Sequence, residues 1–282
     1  MNPTARCGAL LPTLLLPVVA TCGCGHPSRA TLRVATLNLA HARGLTLNPL
    51  GQIGLPRRTF EENLAAVAEM LKREAPDVVA LQEADAASDW SGGFDHVAFL
   101  SHAAGYPHRH HGLHTDLDRT GLELRYGTAL LARRELANAR SVAFDCEPMD
   151  STKGYVVAEI EFAGRPVVIV SVHLHSKFAA ARRRQAHALV GQLRRYDAAL
   201  IVMGDFNTTW ERTDDALRLI ARELDLLSYE PDNDQRNTFP SLGPRRRIDW
   251  ILISKRLRFR DCRCWPDKLS DHLGVSAELA WR

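Results

Sequence analysis

The sequence predicts a mixed α/β (α+β) protein of two packed, mainly antiparallel sheets with helices on their outer faces. Three observations lead there. Short apolar runs of strand length outnumber amphipathic helical stretches, and successive strands are often separated only by a tight turn. The 282 residues, 45% of them hydrophobic, contain no linker, repeat or low-complexity segment that would divide one large core.

The chain opens unlike the rest. Arg6 precedes GALLPTLLLPVVA, an apolar run of signal-peptide length followed by TCGCGHPSRA. The run is too short and proline-rich for a permanent span, which needs about 20 apolar residues. Val19-Ala20-Thr21-Cys22 resembles the lipobox of bacterial lipoproteins, although Thr21 stands where that pattern prefers Gly, Ala or Ser. Residues 1–21 are therefore expected to be an export signal, with acylation of Cys22 and plain secretion as its two forms. Residues 22–30 read as a short linker and 31–282 as the folded domain, exported as a periplasmic, membrane-anchored or secreted protein.

The elements then follow in order. LRVATLNLA (32–40) is a first strand. FEENLAAVAEMLKRE (60–74) places Phe60, Leu64, Val67 and Leu71 on one helical face, and Pro76 ends it. DVVALQE (77–83) is a short buried strand closing on an acid. HRHHGLHTDLDRTGLEL (108–124) reads as a specificity-shaping loop whose histidines are most simply solvated, with an added metal site as the alternative. YGTALLAR (126–133), YVVAEIEF (155–162) and PVVIVSVHL (166–174) are strands, the last two joined at Ala163-Gly164-Arg165 by a hairpin turn. AARRRQAHALVGQLRRY (180–196) is a basic helix with Ala186, Leu189, Val190 and Leu193 inward. The strand IVMGD, a helix over 214–227, the strand RIDWILIS (247–254) and the alternating LGVSAELAW (273–281) complete the chain.

Charge excludes little. A net charge of +3 from 36 basic and 33 acidic residues is not that of a histone-like nucleic-acid coat. Basic runs at Arg133-Arg134, 182–184, Arg194-Arg195 and 245–247 would suit a phosphate backbone or an anionic lipid surface, though most such runs are solvated faces. Export would permit disulfides among Cys24, Cys146, Cys262 and Cys264, with a connectivity the sequence does not reveal. A structural zinc site lacks its Cys-x-x-Cys pair.

The informative regularity is where polar residues fall. Asn38, Glu83, His173, Asp205 and Asn207 each follow an apolar run, Asp249 lies inside RIDWILI, and Asp271-His272 precede the last strand. Burying even a neutral polar group without a partner costs about 2 to 7 kcal/mol, so scattered singly these residues make no sense. Each has a bland reading as a turn, cap or satisfied core residue; gathered at one rim they form a site.

The segments TLN (36–38), VVALQE (78–83), SVHLHS (171–176), GDFN (204–207), RIDWIL (247–252) and SDHLGVSAEL (270–279) resemble, in order, the motifs of the endonuclease/exonuclease/phosphatase superfamily, with its deoxyribonuclease-I-like fold. The resemblance spans about 31–282 and implies a four-layer α/β/β/α sandwich whose active site lies where the strand ends of both sheets converge. It implies a phosphoester hydrolase that uses Mg²⁺, with Mn²⁺ as a substitute and Ca²⁺ as a further candidate. Asn38, Glu83 and Asp271 look like its metal ligands; Asn207 and His173 like donors to the phosphate oxygens; His272 like the catalytic histidine, oriented by Asp249. Asp205 is the other candidate for activating water, and the resemblance leaves the proton acceptor open between Asp205, the Asp249–His272 pair and a hydroxide on the metal.

Thr128 stands where many relatives carry Asn, so their contact at that loop is not carried over. Tyr126 is read as packing, and Lys153 as a candidate for meeting phosphate. The expected partner of a monomeric enzyme is a phosphoester, either nucleic acid or a phospholipid head group, with anchoring through Cys22 a further expectation. Phosphodiester hydrolysis of the non-specific endonuclease kind leads. A sphingomyelinase-like or inositol-phosphate-like lipid phosphoesterase is the alternative, and an inactive binding module on the same fold is the second.

Overall fold

Continuous apolar runs become strands buried on both faces, and that dictates the layering. In the computed structural model the described residues are 1, 30–45, 52–119, 121–145, 152–213 and 215–282. The expected export signal, Cys22, Cys24 and Cys146 lie outside them.

One six-stranded sheet runs in the order β11 (Leu257–Cys264), β12 (Val275–Trp281), β1 (Leu32–Asn38), β2 (Val78–Asp85), β4 (Leu122–Ala132), β3 (His108–Arg119). The other runs β5 (Ala137–Ala143), β6 (Gly154–Phe162), β7 (Arg165–His173), β8 (Ala199–Asp205), β10 (Asp249–Ser254), β9 (Leu226–Ser228). Each sheet has a single parallel pair, β1–β2 and β7–β8, and is otherwise antiparallel.

Alternation along each strand sorts side chains into three cores. Val34, Val78, Ala80, Val156, Ala158, Ile169, Ile201, Met203 and Ile251 fill the space between the sheets. Their sequence neighbours Ala35, Leu37, Val79 and Leu81 instead meet α1 (Arg57–Glu74) and α2 (His96–Ala104). Val157, Val168, Val170, Val172, Val202 and Trp250 meet α3 (Ala179–Leu193) and α4 (Ala216–Glu223). The result is the expected α/β/β/α stack. Among the described residues no helix is long and apolar enough to cross a membrane.

The structure corrects three local readings. The polar stretch at 108–124 is no loop: it forms β3, hydrogen-bonded along its length to β4 at one edge of the first sheet. The helix expected over 214–227 ends at Glu223, because Asp225 takes a positive φ of 52° and Leu226 to Ser228 then pair with β10. The basic runs are partly structural. Arg182 is buried against Asp215, with Nη2 2.6 Å from Oδ2. Arg247 is buried over the Trp250 ring and donates to the carbonyls of Tyr229 and Glu230. Arg245 and Arg246 remain exposed. Cys262, buried, and Cys264 are free thiols.

Candidate active site

The parallel pairs set the location of the site. Asn38, Glu83, His173 and Asp205 sit at the carboxyl ends of β1, β2, β7 and β8, and Asp249 starts the antiparallel β10 at the same rim. Register does the rest in the second sheet: Asp205 is paired with His173 on one side and Asp249 on the other, so three strands present adjacent polar groups. Asp271 and His272 arrive on the segment leading into β12. Asn207 lies two residues beyond Asp205, its backbone N–H bonded to that carboxylate, so all eight residues expected from the sequence are at one rim.

Local backbone departures aim them. A bulge in the β2–β4 ladder falls between Leu81 and Ala84, and Glu83 within it has φ of 47°. Asn207 also lies in the left-handed region, at φ 53°, after the turn that follows β8. Non-glycine residues held there are costly unless their surroundings enforce it, and such strain gathers at functional sites. Gly204, immediately before Asp205, lies so close to β7 that a Cβ would collide with the carbonyl oxygen of Val172.

Asp205 is the hub. Asn38 donates from Nδ2 to its Oδ2 at 3.0 Å across the gap between the sheets, and the Asn207 amide donates to its Oδ1 at 2.9 Å. His173 Nε2 is 3.4 Å and His272 Nε2 is 3.9 Å from Asp205 Oδ2. His272 Nδ1 in turn lies 2.8 Å from Asp249 Oδ2, which also accepts from Thr238 Oγ1 at 2.6 Å. The carboxylate fixes the ring so that Nε2 faces Asp205, the arrangement of the lower two members of a hydrolase triad. Phe239 flanks the imidazole with ring centroids 4.8 Å apart.

Burial and charge spread the ionisation of these groups. Burial pushes the Asp205 carboxyl up to about 7, helped by the Asp249 charge and opposed by His272. Burial would lower His272, but Asp249, through charge and hydrogen bond, with Asp205 and Asp271, lifts it to about 10. His173 is held well below its ordinary value by burial and by the Lys153 charge. Glu83 resists burial and stays ionised far below the usual carboxylate range because His41, Lys153, His173 and Arg43 surround it.

Two groups hold metal-ligating chemistry. Asp205, Asp249 and His272 offer ligand atoms within 4.8 Å of one another and could hold an ion, yet Asp249 Oδ2 is already shared by His272 and Thr238. Glu83 and Asp271 come from opposite edges of the cleft to one cationic point: the guanidinium of Arg43 is 3.6 Å from Glu83 Oε2 and 2.6 Å from Asp271 Oδ2. Asn38 ends the intervening strand β1, its Oδ1 accepting from the Ala40 amide at 2.9 Å, and Glu83 and Asp271 supply hard oxygen donors converging where a cation already stands. That donor set fits a Mg²⁺-class ion.

Sequence reading missed His41, Arg43, Asp85 and Trp90. His41 Nδ1 lies 2.6 Å from Asp85 Oδ1, and Nε2 lies 3.3 Å from Glu83 Oε2. Asp85 also accepts from Trp90 Nε1 at 2.7 Å and Ser91 Oγ at 2.5 Å; against burial, the charge and hydrogen bond of His41, with the His96 charge and the Ser91 bond, hold it ionised. Burial opposes protonation of His41, but the charges of Asp85 and Glu83 raise it. The only available signal was position, in NLAHARG after Asn38 and QEAD around Glu83. Tyr126 packs as expected, with its ring 4.8 Å from that of His41. Thr128 is occupied by His114 Nε2 at 2.9 Å.

Comparison with known proteins agrees with this fold. The Endonuclease/Exonuclease/phosphatase family model matches residues 35–272. The chain belongs to that family, whose members are metal-dependent phosphoester hydrolases. Among solved structures it is similar to an endonuclease/exonuclease/phosphatase from Beutenbergia cavernae, with 22% identity over 90% of this chain and 72% of that one, and a TM-score of 0.67. It is also similar to the mannosyl-6-phosphatase of Bacteroides thetaiotaomicron, with 16% identity over 89% and 100% of the two chains and a TM-score of 0.70. A third is D. rerio TDP2 complexed with a single-strand DNA product, with 17% identity over 88% and 98% and a TM-score of 0.64. At these identities the likeness is one of fold. No curated protein matches the chain.

Proposed function

We propose that this protein is a divalent-metal-dependent phosphodiesterase that cleaves its substrate by in-line attack of water. The observation that carries the reading is the Asp249–His272 pair facing Asp205, a carboxylate itself held from both sheets by Asn38 and Asn207. Asn38, Glu83 and Asp271 would hold the ion, which when bound neutralises phosphate charge and polarises a phosphoryl oxygen.

The chain's own groups do the remainder. His272, with Nδ1 committed to Asp249, presents Nε2–H to the phosphoryl oxygens. His173 and the Asn207 carboxamide lie beside it for the other non-bridging oxygens; Asn207 Nδ2 now donates to the Leu174 carbonyl at 2.9 Å. Asp205 accepts the proton of the attacking water, since it is the carboxylate that these donors surround without a permanent cationic hydrogen bond. Nucleic acid is the substrate class we favour, supported by the exposed Arg245 and Arg246 on the approach to Asp249. The same reading has a monomer exported through its N-terminal apolar run, either anchored by an acylated Cys22 or plainly secreted, and the mass of the mature chain distinguishes the two.

The test is release of product from bis-p-nitrophenyl phosphate, nicking of plasmid DNA and cleavage of sphingomyelin vesicles, each with Mg²⁺ and with EDTA. Hydrolysis of the first two, abolished by EDTA and reduced by roughly a thousandfold or more in His272→Ala, is expected. Unchanged turnover in His272→Ala would refute the site assignment, and lipid cleavage with intact plasmid would replace the substrate class.

A further inference from the structure

The metal reading leaves Arg43 unexplained. It follows three consecutive residues, Ala40, His41 and Ala42, whose φ values of 48°, 55° and 58° are all left-handed. L-residues adopt that conformation singly and at a cost, so a run of three is built for a purpose. Its effect is to fold the chain back after β1 and tuck Arg43 beneath the rim, with only 6% of the side chain exposed. Nη1 donates to the Ala40 carbonyl at 3.1 Å, inside the same turn, and Nη2 donates to Asp271 Oδ2 at 2.6 Å. Glu83 Oε2 is 3.6 Å from Nη1. The fork of the guanidinium thus spans the two carboxylates that the proposed function gives to the metal.

We propose that Arg43 is a displaceable counter-ion of the metal site: it holds Glu83 and Asp271 together before metal arrives, and a divalent ion binds in competition with it. The inference rests on the metal reading above. A guanidinium and a divalent cation repel at contact distance, and Arg43 already occupies Glu83 Oε2 and Asp271 Oδ2, so an ion that takes those oxygens must displace it. Without a cation the two acids would stand close together in a largely buried cleft, an arrangement that is strongly unfavourable unless neutralised. His41 also faces Glu83, at 3.3 Å, but Arg43 touches both acids, and it keeps the ligands converged at the expense of metal affinity. Arginine suits the task because its planar fork reaches two carboxylates at once, which an ammonium does not.

The test reads metal binding without turnover. Mn²⁺ is titrated into wild type, Arg43→Gln and Arg43→Lys, and free Mn²⁺ is followed by its electron paramagnetic resonance signal. Arg43→Gln should bind roughly tenfold more tightly than wild type or better, a shift typical of coupled sites. Arg43→Lys, which keeps the charge but loses the fork, should fall between them. Melting gives a second readout: in EDTA Arg43→Gln should melt below wild type, and saturating Mn²⁺ should raise its Tm by more than it raises the wild type's. Equal or weaker Mn²⁺ binding in the variants, while wild type binds, overturns the competition and leaves the metal reading standing. Should Arg43→Gln fail to fold, binding by Arg43→Lys no tighter than wild type overturns it in the same way. If none of the three binds Mn²⁺ while all are folded, the metal reading itself falls, and the counter-ion with it.

Discussion

Replacing His114 by glutamine should flatten the acid dependence of this protein's stability. His114 sits on β3, buried, with Nε2 2.9 Å from Thr128 Oγ1, while Nδ1 has no hydrogen-bond partner and lies where a Cβ at Gly154 would stand 2.5 Å away. Burial, reinforced by the positive charges of His111 and Lys153, depresses its pKa to about 3. In the unfolded chain the same imidazole titrates near its ordinary value of 6.5. Between those values the unfolded state binds a proton that the folded state refuses. The stability associated with a neutral His114 is therefore complete above pH 6.5 and is lost progressively as pH falls from about 6.5 toward about 3. At about 1.36 kcal/mol per pH unit, the passage from about pH 7.5 to about 4.5 costs wild type about 2.5 kcal/mol from this one group. The substituted carboxamide can still donate to Thr128 and does not titrate. Urea unfolding of wild type and His114→Gln at about pH 7.5 and 4.5 gives four free energies, and the loss in wild type should exceed that in the variant by about 2.5 kcal/mol. Parallel losses would show that His114 is hydrated or protonated in the folded protein, and the account of this interior would be wrong.

Two further outcomes follow from the rim. Asp249→Asn keeps shape but frees the His272 ring to the wrong tautomer, so kcat on bis-p-nitrophenyl phosphate should fall by roughly a thousandfold to ten-thousandfold; a loss under tenfold would show that Asp249 does not orient His272. Gly204→Ala drives a methyl into the Val172 carbonyl at a φ of 150°, so β8 must move away from β7. It should lose about 2 to 4 kcal/mol in urea unfolding together with most activity, because Asp205 is the next residue; a variant as stable and active as wild type would contradict the packing of these two strands.

How much of this was legible in the sequence follows from burial. Strands such as VVIVSV and LIVM face a sheet on one side and helices on the other, so both alternating sets of positions are apolar and the run is conspicuous. Edge strands carry no such signal. β3, as HRHHGLHTDLDR, and β5, as ANARSVA, bury few side chains, and both are placed by pairing with β4 and β6 more than by their own composition. The basic runs misled for the opposite reason: nothing local distinguishes Arg182 and Arg247, buried on Asp215 and Trp250, from the solvated arginines next to them. The gathering of the eight candidate residues at one rim was legible because each ends or begins an apolar run in a fixed order. His41, Arg43 and Asp85 were not, because their meaning lies in charges that only folding brings beside Glu83 and Asp271.

That distinction bears on what holds the site in shape. His173, Asp205 and Asp249 are fixed by ladder register within one sheet, and sliding one strand would destroy the core before it moved the site. The half supplied by the other sheet has no ladder to it. It is joined by buried polar contacts across the apolar interface: Asn38 to Asp205, and Gln82 Nε2 to Ser171 Oγ at 3.2 Å, with Ser171 Oγ donating to the Leu81 carbonyl at 3.0 Å. Apolar packing between sheets is indifferent to small translations, whereas a buried donor that loses its acceptor costs about 1 to 3 kcal/mol. These few bonds therefore set the registration of one sheet on the other. Glu83 immediately follows Gln82, so the contact that aligns the sheets also fixes the strand position from which Glu83 enters the rim. Stability and the placement of Glu83 at the rim rest here on the same hydrogen bonds.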